Sequence, residues 1–196
     1  MAGKPNYNLL YGIAENQAGY FSAQQGHESG FSWERLSENA AGGRFARLSQ
    51  GVYRLVHFPG SPHEDLFVAW LRCGPNSVIS HESALSVWGL SDVLPGEIHV
   101  VVPRTASRRR KGIRLHTNRL VLDEVTRVEG LPITTAARTI ADVANSGLAE
   151  EQVRQAINEA LSRGLVTREE LLVQARRRRG SAKWIIQSTL KLDREG

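Results

Sequence analysis

The sequence is poor in the features of secreted, membrane-spanning or disulfide-stabilised proteins. Cys73 is the single cysteine in 196 residues, so no disulfide framework can form within the chain, and such usage is typical of a reducing compartment. The chain contains no run of about 18 consecutive apolar residues. Its first ten residues lack the apolar segment of a signal peptide. We therefore expect a soluble, cytoplasmic protein with no membrane attachment.

The spacings that common catalytic and metal sites require are also missing. His81 and Glu82 begin like a zinc-protease motif, but Leu85 stands where the second histidine is needed. The chain has no Gly-x-Ser-x-Gly motif, no P-loop and no Glu-x-Lys step of a metal-dependent nuclease. The histidines show no metal-ligand spacing with Cys73: His27, His57, His63, His81, His99 and His116. We predict a protein that is not an enzyme and needs neither metal nor cofactor.

The formal net charge of +5 is unevenly distributed along the chain. Residues 1–60 carry five basic and four acidic side chains, and residues 61–103 carry one and five. Residues 104–130 carry eight basic and three acidic side chains, and residues 131–196 carry eleven and eight. The overall excess favours an acidic polymer as partner, but most of it lies in the second half of the chain.

Residues 1–58 predict a winged helix-turn-helix. Apolar residues at helical spacing favour a helix over residues 8–17, and Ser22 and Ser32 are suited to cap two further helices. The last of these runs over residues 33–41 and ends at two glycines, and a hairpin follows over residues 44–55. The alternative is a small helical hairpin with a β-ribbon. The predicted core of this domain is Phe21, Phe31, Leu36, Phe45, Leu48 and Tyr53.

A helix-turn-helix places the first turns of its second helix against base edges. Arg35 can bind guanine in a bidentate manner, and Asn39 can bind adenine. For each position the alternative is a solvated side chain, and for Trp33 it is a core aromatic. The predicted DNA-binding residues are Gln24, Gln25 and His27 on the first helix, Ser32, Trp33, Glu34, Arg35 and Asn39 on the second, and Arg44, Arg47, Ser49 and Gln50 on the hairpin.

Residues 59–196 predict a second domain of mixed α+β structure. Ser61, Pro62 and Glu64 have the spacing of a capping box, which would start a buried helix directly after the linker. Strands are expected at residues 97–103 and 113–117, with a hairpin over residues 125–133. Helices are expected at residues 136–146, 150–163, 167–178 and 182–191, the third with a capping box at Thr167 and Glu170.

Charged residues of this second domain allow two interpretations. Arg138 and Asp142 lie four apart on one helix face, which favours a surface ion pair worth a few tenths of a kcal/mol over a ligand site. Basic runs favour either a solvated face or contact with phosphates. The two runs are Arg108, Arg109, Arg110 and Lys111, and Arg176, Arg177, Arg178 and Arg179.

Four stretches in order resemble the AbiEi-type antitoxins of abortive-infection toxin–antitoxin systems. They are residues 21–55 with Gly51-Val52-Tyr53-Arg54, residues 79–90 with Ser80-His81-Glu82-Ser83, residues 98–100, and residues 134–142 with Arg138-Thr139 and Asp142. The resemblance spans roughly residues 8–175. It implies an N-terminal winged helix that binds repeats in its own promoter. It also implies a C-terminal domain that counteracts a nucleotidyltransferase toxin, often without stable binding. On such a domain the two basic runs could form the antitoxic surface.

Three functions remain open from the sequence. The favoured one is a sequence-specific autorepressor and antitoxin whose partners are double-stranded promoter DNA and a nucleotidyltransferase-like toxin. The second is a protein-interaction module whose winged helix does not bind DNA, suggested by the nearly neutral residues 1–60. The third is an accessory subunit of a nucleic-acid-modifying enzyme.

Overall fold

The computed structural model describes residues 4–90, 95–106, 108–178 and 180–192. The chain divides into two compact units. The N-terminal unit comprises Met1–Asn76 and Arg127–Leu131, and the C-terminal unit comprises Ser77–Thr126 and Pro132–Gly196. Both units combine helices with strands, so the predicted α+β class is confirmed.

The N-terminal unit contains a three-stranded antiparallel sheet surrounded by helices. Its elements are α1 (Tyr7–Glu15), β1 (Tyr20–Ser22), α2 (Ala23–Glu28), α3 (Trp33–Ala41), β2 (Phe45–Ser49), β3 (Val52–Leu55) and α4 (Glu64–Cys73). Strand β3 lies between β1 and β2 and pairs antiparallel with both. The sequence does not predict β1, because three residues are too few to show the alternation of a strand.

The helix starts predicted at Ser22 and Ser32 and the hairpin turn are found at the expected residues, whereas the first helix covers Tyr7–Glu15 instead of residues 8–17. The Ser22 hydroxyl accepts a hydrogen bond from the Gln25 amide at 3.2 Å, and the Ser32 hydroxyl accepts one from the Arg35 amide at 3.3 Å. Gly51 has a φ of 73° in the turn between β2 and β3, where a side chain would be strained. Local capping and turn chemistry therefore define most of the boundaries of this unit.

The core of the N-terminal unit is aromatic. Phe21 stacks on Tyr53 with 5.5 Å between ring centroids and meets the Phe45 ring edge-on at 5.1 Å. Leu48, predicted as a core residue, is only half-buried. It lies at a register shift in β2, where Arg47 pairs with Tyr53 and Ser49 with Val52, so Leu48 has no residue opposite it. The other five predicted core residues are buried: Phe21, Phe31, Leu36, Phe45 and Tyr53.

Helix α4 belongs to the N-terminal unit, and the predicted boundary between residues 58 and 59 is wrong for that reason. The Phe67 ring stacks on Tyr20 of β1, with centroids 4.6 Å apart, and both side chains are fully buried. The Tyr20 hydroxyl donates to Glu64 at the start of α4 at 3.1 Å. The sequence between residues 58 and 62 resembles a linker, yet the chain continues in the same unit to residue 76.

The capping box predicted at Ser61, Pro62 and Glu64 is also wrong. Helix α4 starts at Glu64 after His63, whose side chain makes no capping hydrogen bond. The Ser61 hydroxyl accepts instead from the His63 amide at 3.0 Å, and the Ser61 amide donates to the Tyr20 hydroxyl at 3.0 Å. A local bond to His63 therefore takes the hydroxyl that a cap would need, and a contact with the distant Tyr20 takes the amide.

The C-terminal unit combines a mixed sheet with a helical layer. Its elements are β4 (Val78–Ile79), α5 (His81–Val87), β5 (Ile98–Val101), β6 (Ile113–His116), β7 (Val125–Val128), β8 (Leu131–Thr134), α6 (Ala136–Ser146), α7 (Glu150–Ser162), α8 (Arg168–Arg177) and α9 (Ser181–Leu192). The strand order is β6-β5-β4-β8-β7, with β5 parallel to β6 and antiparallel to β4. Residues 127–131, which end β7 and begin β8, are grouped with the N-terminal unit. The sequence does not predict the two-residue strand β4, although it is central to the sheet.

Helix α6 lies in the middle of the helical layer. Ile140, Ala141 and Val143 have no solvent exposure and pack in one cluster with residues of α7, α8 and α9. The capping box of Thr167 and Glu170 at the start of α8 is confirmed, with the Thr167 amide donating to the Glu170 carboxylate at 2.7 Å. In the part of the chain that the structure describes, every helix is too short or too polar to cross a membrane.

Candidate nucleic-acid interface and buried polar clusters

The first turn of α3 presents polar and aromatic side chains to solvent. Leu36 is buried beneath the helix, whereas Trp33 is 61% exposed, which rules out its alternative role as a core aromatic. Glu34 and Arg35 are exposed beside it. Hydrogen bonds from its own backbone amide and from Ser32 hold the pKa of the Glu34 carboxyl below its usual value. This turn therefore offers an indole, a carboxylate and a guanidinium to a partner.

Two of the three predicted DNA contacts on α2 serve the fold of the N-terminal unit. The Gln25 side chain accepts from the Ser22 amide at 2.8 Å and donates to Gln17 at 2.8 Å, which completes a capping box. His27 Nδ1 donates to the Phe31 carbonyl at 2.6 Å, and the ring meets Trp33 edge-on with centroids 4.3 Å apart. Gln24 is exposed and donates only locally, to Glu28 at 3.0 Å.

At the end of α3 and on the hairpin, too, some predicted DNA contacts are engaged within the fold and others are exposed. The Asn39 amide donates to the Arg35 carbonyl at 2.7 Å, and its oxygen accepts from the Tyr7 hydroxyl at 3.2 Å. Ser49 is half-buried at the register shift of β2. Arg44, Arg47 and Gln50 are exposed. The hairpin therefore offers two guanidinium groups and one amide to a partner.

Arg138 and Asp142 form a buried pair, so their interpretation as a surface ion pair is wrong. Arg138 has no solvent exposure, and its Nε donates to Asp142 at 2.8 Å. Its Nη1 contacts the buried Glu124 carboxylate at 2.5 Å and the Arg119 carbonyl at 3.2 Å. Burial raises the pKa of Asp142 against the opposing effect of Arg138. These contacts connect α6 to the segment that precedes β7.

The described arginines of the second basic run form ion pairs with acidic side chains. Arg178 donates to Glu124 at 2.7 Å, which adds a second guanidinium to the buried network. Arg177 contacts Asp123 at 2.9 Å, and Arg176 contacts Glu169 at 2.6 Å. Arg179 lies outside the described residues. The described part of this run is therefore largely neutralised within the C-terminal unit, which does not support a free phosphate-binding patch there.

The first basic run is more open than the second. Arg108, Arg109 and Lys111 are exposed in the segment between β5 and β6. Arg110 is half-buried and donates to the carbonyls of Ala106 and Arg108, at 3.2 and 2.9 Å. Three exposed cations close together in the chain are suited to phosphate groups, which they would bind without reading sequence.

A histidine cluster in the C-terminal unit is not predicted by the sequence. His81, His99 and His116 each place one ring nitrogen within 4.8 Å of the others. His81 and His116 stack with centroids 3.6 Å apart and planes 11° apart. Spacings of 18 and 17 residues carry no ligand pattern. The pairing of β5 with β6 brings His99 and His116 together, and the hydrogen bond from the Ser80 amide to the His99 carbonyl places His81 beside them.

Burial and neighbouring charges determine the protonation of the groups in this cluster. His99 Nδ1 lies 2.5 Å from the Glu82 carboxylate. Burial acts against ionisation of Glu82, but hydrogen bonds from His99, the backbone and Ser146 lower its pKa to about 2. Burial also lowers the pKa of His81 to about 3 and that of His116 to about 4, so both rings are neutral at pH 7.

These features define a two-unit α+β protein with an exposed helical turn in one unit and buried polar clusters in the other. Residues 77–191 match the family model described as the AbiEi antitoxin C-terminal domain. Because this match covers more than half of the chain, the protein belongs to the AbiEi antitoxin family. The resemblance predicted from the sequence is confirmed, and membership supports an antitoxin role with a toxin partner.

The chain resembles a solved structure over nearly its whole length. The crystal structure of the RV2827C protein from Mycobacterium tuberculosis superimposes with a TM-score of 0.52 at 16% sequence identity. The alignment covers 97% of this chain and 78% of that one. At this identity the likeness concerns the fold alone. No curated protein shows significant similarity to the chain.

Proposed function

We propose that this antitoxin is also a sequence-specific DNA-binding repressor of its own promoter. In the proposal the N-terminal unit is a winged helix-turn-helix, with α3 as recognition helix and the β2–β3 hairpin as wing. The observation that carries it is the exposed first turn of α3, because recognition helices present their first turns to base edges in the major groove. The hairpin that follows has exposed cations suited to the DNA backbone.

The proposed interface is smaller than the set predicted from the sequence. Gln25, His27 and Asn39 are engaged in hydrogen bonds that hold α1, α2 and α3 together. Ser32 caps α3, and Ser49 is half-buried in β2. The residues that remain for DNA are Gln24, Trp33, Glu34, Arg35, Arg44, Arg47 and Gln50.

Arg35 is the residue that we propose reads a base. It is exposed on the first turn of α3, and the Ser32 hydroxyl holds its backbone amide at the start of the helix. A guanidinium that contacts guanine in a bidentate manner contributes about 1–3 kcal/mol of discrimination against the wrong base.

The test compares Arg35→Ala with Arg176→Ala, an exposed arginine of the C-terminal unit paired with Glu169. Binding of the full chain to DNA from immediately upstream of its gene is measured by fluorescence anisotropy at fixed salt. We expect Arg35→Ala to weaken binding by roughly 5- to 150-fold and to relax the preference at one base pair. Equal affinities of both variants would reject the assignment of α3 as the recognition helix.

A second function is favoured by the charge of the same surface. Glu34 and Glu38 are exposed on α3 beside Trp33, and acidic side chains oppose a phosphate backbone. A surface with an exposed indole and carboxylates suits a protein partner with a basic or aromatic site. If the full chain binds upstream DNA no better than a scrambled duplex, this interaction module becomes the preferred interpretation.

We further propose that the toxin is a nucleotidyltransferase and that its neutralisation does not require DNA binding. Family membership supports the antitoxin role, and the identity of the toxin is part of the proposal. The test is growth of cells that express the neighbouring toxin gene with wild-type protein or with Arg35→Ala. Both are expected to restore growth equally. Loss of protection by Arg35→Ala, with normal folding, would show that the two activities are not separate.

A further inference from the structure

We propose that His81, His99 and His116 form a binding site for one divalent transition-metal ion in the C-terminal unit. Zn²⁺ fits the donors best, because imidazole nitrogen is among its preferred ligands. Mg²⁺ and Ca²⁺ prefer oxygen ligands, and the nearest carboxylate, Glu82, is already occupied by His99 and Ser146. The site goes beyond the antitoxin role and the proposed DNA binding.

The ring nitrogens are close to the separation that a tetrahedral ion requires. Zn–N bonds of about 2.0–2.1 Å place two ligand nitrogens roughly 3.4 Å apart. In the structure the three nitrogens lie within 4.8 Å of one another. A nitrogen lone pair lies in the ring plane, so one of the stacked rings of His81 and His116 must tilt towards the ion. Of the two rings, His116 is the less buried and lies at the end of β6.

The hydrogen bonds around the cluster leave one nitrogen of each ring available. His81 Nδ1 contacts the Ser80 hydroxyl at 2.9 Å, and His99 Nδ1 lies 2.5 Å from the Glu82 carboxylate. Nε2 of both rings therefore remains for a ligand. His116 Nε2 is buried with no hydrogen-bond partner among the described residues. Buried polar atoms are nearly always paired, so this nitrogen calls for a partner.

Glu82 supplies the outer support that histidine–metal sites use. A carboxylate that accepts from one ring nitrogen fixes the ring orientation and makes the opposite nitrogen a stronger ligand. Its other oxygen accepts from the Ser146 hydroxyl of α6 at 2.9 Å, so the carboxylate is held from two sides.

The scaffold also fixes where the three rings lie. Val101 pairs with His116, and His99 is two residues before Val101, so both histidines face the same side of the sheet. The Ser80 amide donates to the His99 carbonyl at 3.0 Å and sets the start of α5 beside β5. His81 has a φ of 51°, a strained conformation for a residue with a side chain, which persists only where surrounding contacts impose it.

The test uses untagged full-length protein freed of metal with a chelator. Calorimetric titration with Zn²⁺ is expected to give one site per chain. Co²⁺ is expected to give the visible absorption of a nitrogen-ligated tetrahedral ion. Glu82→Gln is expected to weaken Zn²⁺ binding by about 10- to 100-fold, because it removes a carboxylate that orients a metal ligand. His116→Gln and His99→Gln each remove a ligand and are expected to weaken binding by at least the same factor. His57→Gln, an exposed histidine of the N-terminal unit, is the matched control and should leave the affinity unchanged.

Far-UV circular dichroism of each metal-free variant establishes that it folds. The proposal is overturned if wild-type protein binds less than one equivalent of Zn²⁺ with no tetrahedral Co²⁺ spectrum. It is also overturned if a folded His116→Gln variant binds as tightly as the His57→Gln control. If His99→Gln and His116→Gln both fail to fold, the Co²⁺ spectrum of the wild-type protein is the test. A spectrum without nitrogen ligation then rejects the metal site. DNA binding is not part of this readout, so failure here leaves the repressor proposal standing.

Discussion

Arg138 shows how a single side chain can organise the C-terminal unit. A buried guanidinium is costly unless its charge and its hydrogen bonds are satisfied. Asp142, Glu124 and the Arg119 carbonyl contact it, and Arg178 contacts Glu124 from another side. Arg177 also lies 3.7 Å from Glu124 and is balanced by Asp123, so the network has no net formal charge. Removal of any one member leaves an uncompensated charge inside the protein.

We expect Arg138→Ala to lower the free energy of unfolding by about 3–5 kcal/mol, as the loss of one member of a buried pair does. Arg176→Ala is the control, because its pair with Glu169 is exposed and worth about 0–1 kcal/mol. Urea unfolding followed by circular dichroism gives both values. Similar losses in the two variants would contradict the structural role of the network.

Neighbouring glutamines on α2 separate a structural residue from a proposed interface residue. Gln25 completes the cap of α2 and bonds the buried Gln17, whereas Gln24 is exposed. We expect Gln25→Ala to cost about 1–2 kcal/mol of unfolding free energy and Gln24→Ala less than about 0.5 kcal/mol. The same urea titration checks this. A larger loss in Gln24→Ala would show that the assignment of the two side chains is reversed.

At the scale of elements, the sequence predicts those whose boundaries depend on neighbouring residues. Ser22, Ser32 and Thr167 each start a helix at the expected position, because a cap involves only the next three residues. Strands β1 and β4 are not predicted, because two or three residues are too few to show the alternation of apolar and polar side chains. They are strands only because they pair with neighbouring strands. The cap expected at Ser61 does not form, because Tyr20, distant in sequence, binds its amide.

A substitution in helix α4 can test which unit contains the segment after residue 58. Phe67 is fully buried against Tyr20 of β1, so Phe67→Ala should cost about 3–5 kcal/mol in the N-terminal unit. Hydrogen exchange followed by mass spectrometry should then show faster exchange in β1 and β3, with α7, α8 and α9 unchanged. Faster exchange confined to residues 77–196 would contradict the assignment of α4 to the N-terminal unit.

At the scale of the whole molecule, the predictable features and the unpredictable ones have different physical origins. The α+β class, the aromatic core and the family resemblance depend on local pattern, and they are confirmed. The histidine cluster depends on strand register, which three single histidines in the sequence do not specify. The pairing of Arg176, Arg177 and Arg178 with acidic residues likewise depends on the tertiary fold.

The distribution of charge over the molecule makes a prediction about salt. The N-terminal unit is nearly neutral, so we expect part of the phosphate binding to come from Arg108, Arg109 and Lys111, which are exposed. Replacement of all three by alanine should reduce the slope of log affinity against log salt by about 0.9 for each phosphate that the variant no longer neutralises. The control replaces Arg176 and Arg177, which have acidic partners. An unchanged slope in the triple variant would exclude this segment from the DNA interface.

The most direct measurement of the central claim is competition between specific and unrelated DNA for the full chain at physiological salt. Labelled DNA from immediately upstream of the gene is bound, and unlabelled upstream or scrambled duplex of the same length displaces it. A sequence-specific repressor should prefer the upstream DNA by at least about 10³-fold. Equal displacement by the two duplexes would contradict the claim that the exposed first turn of α3 reads DNA.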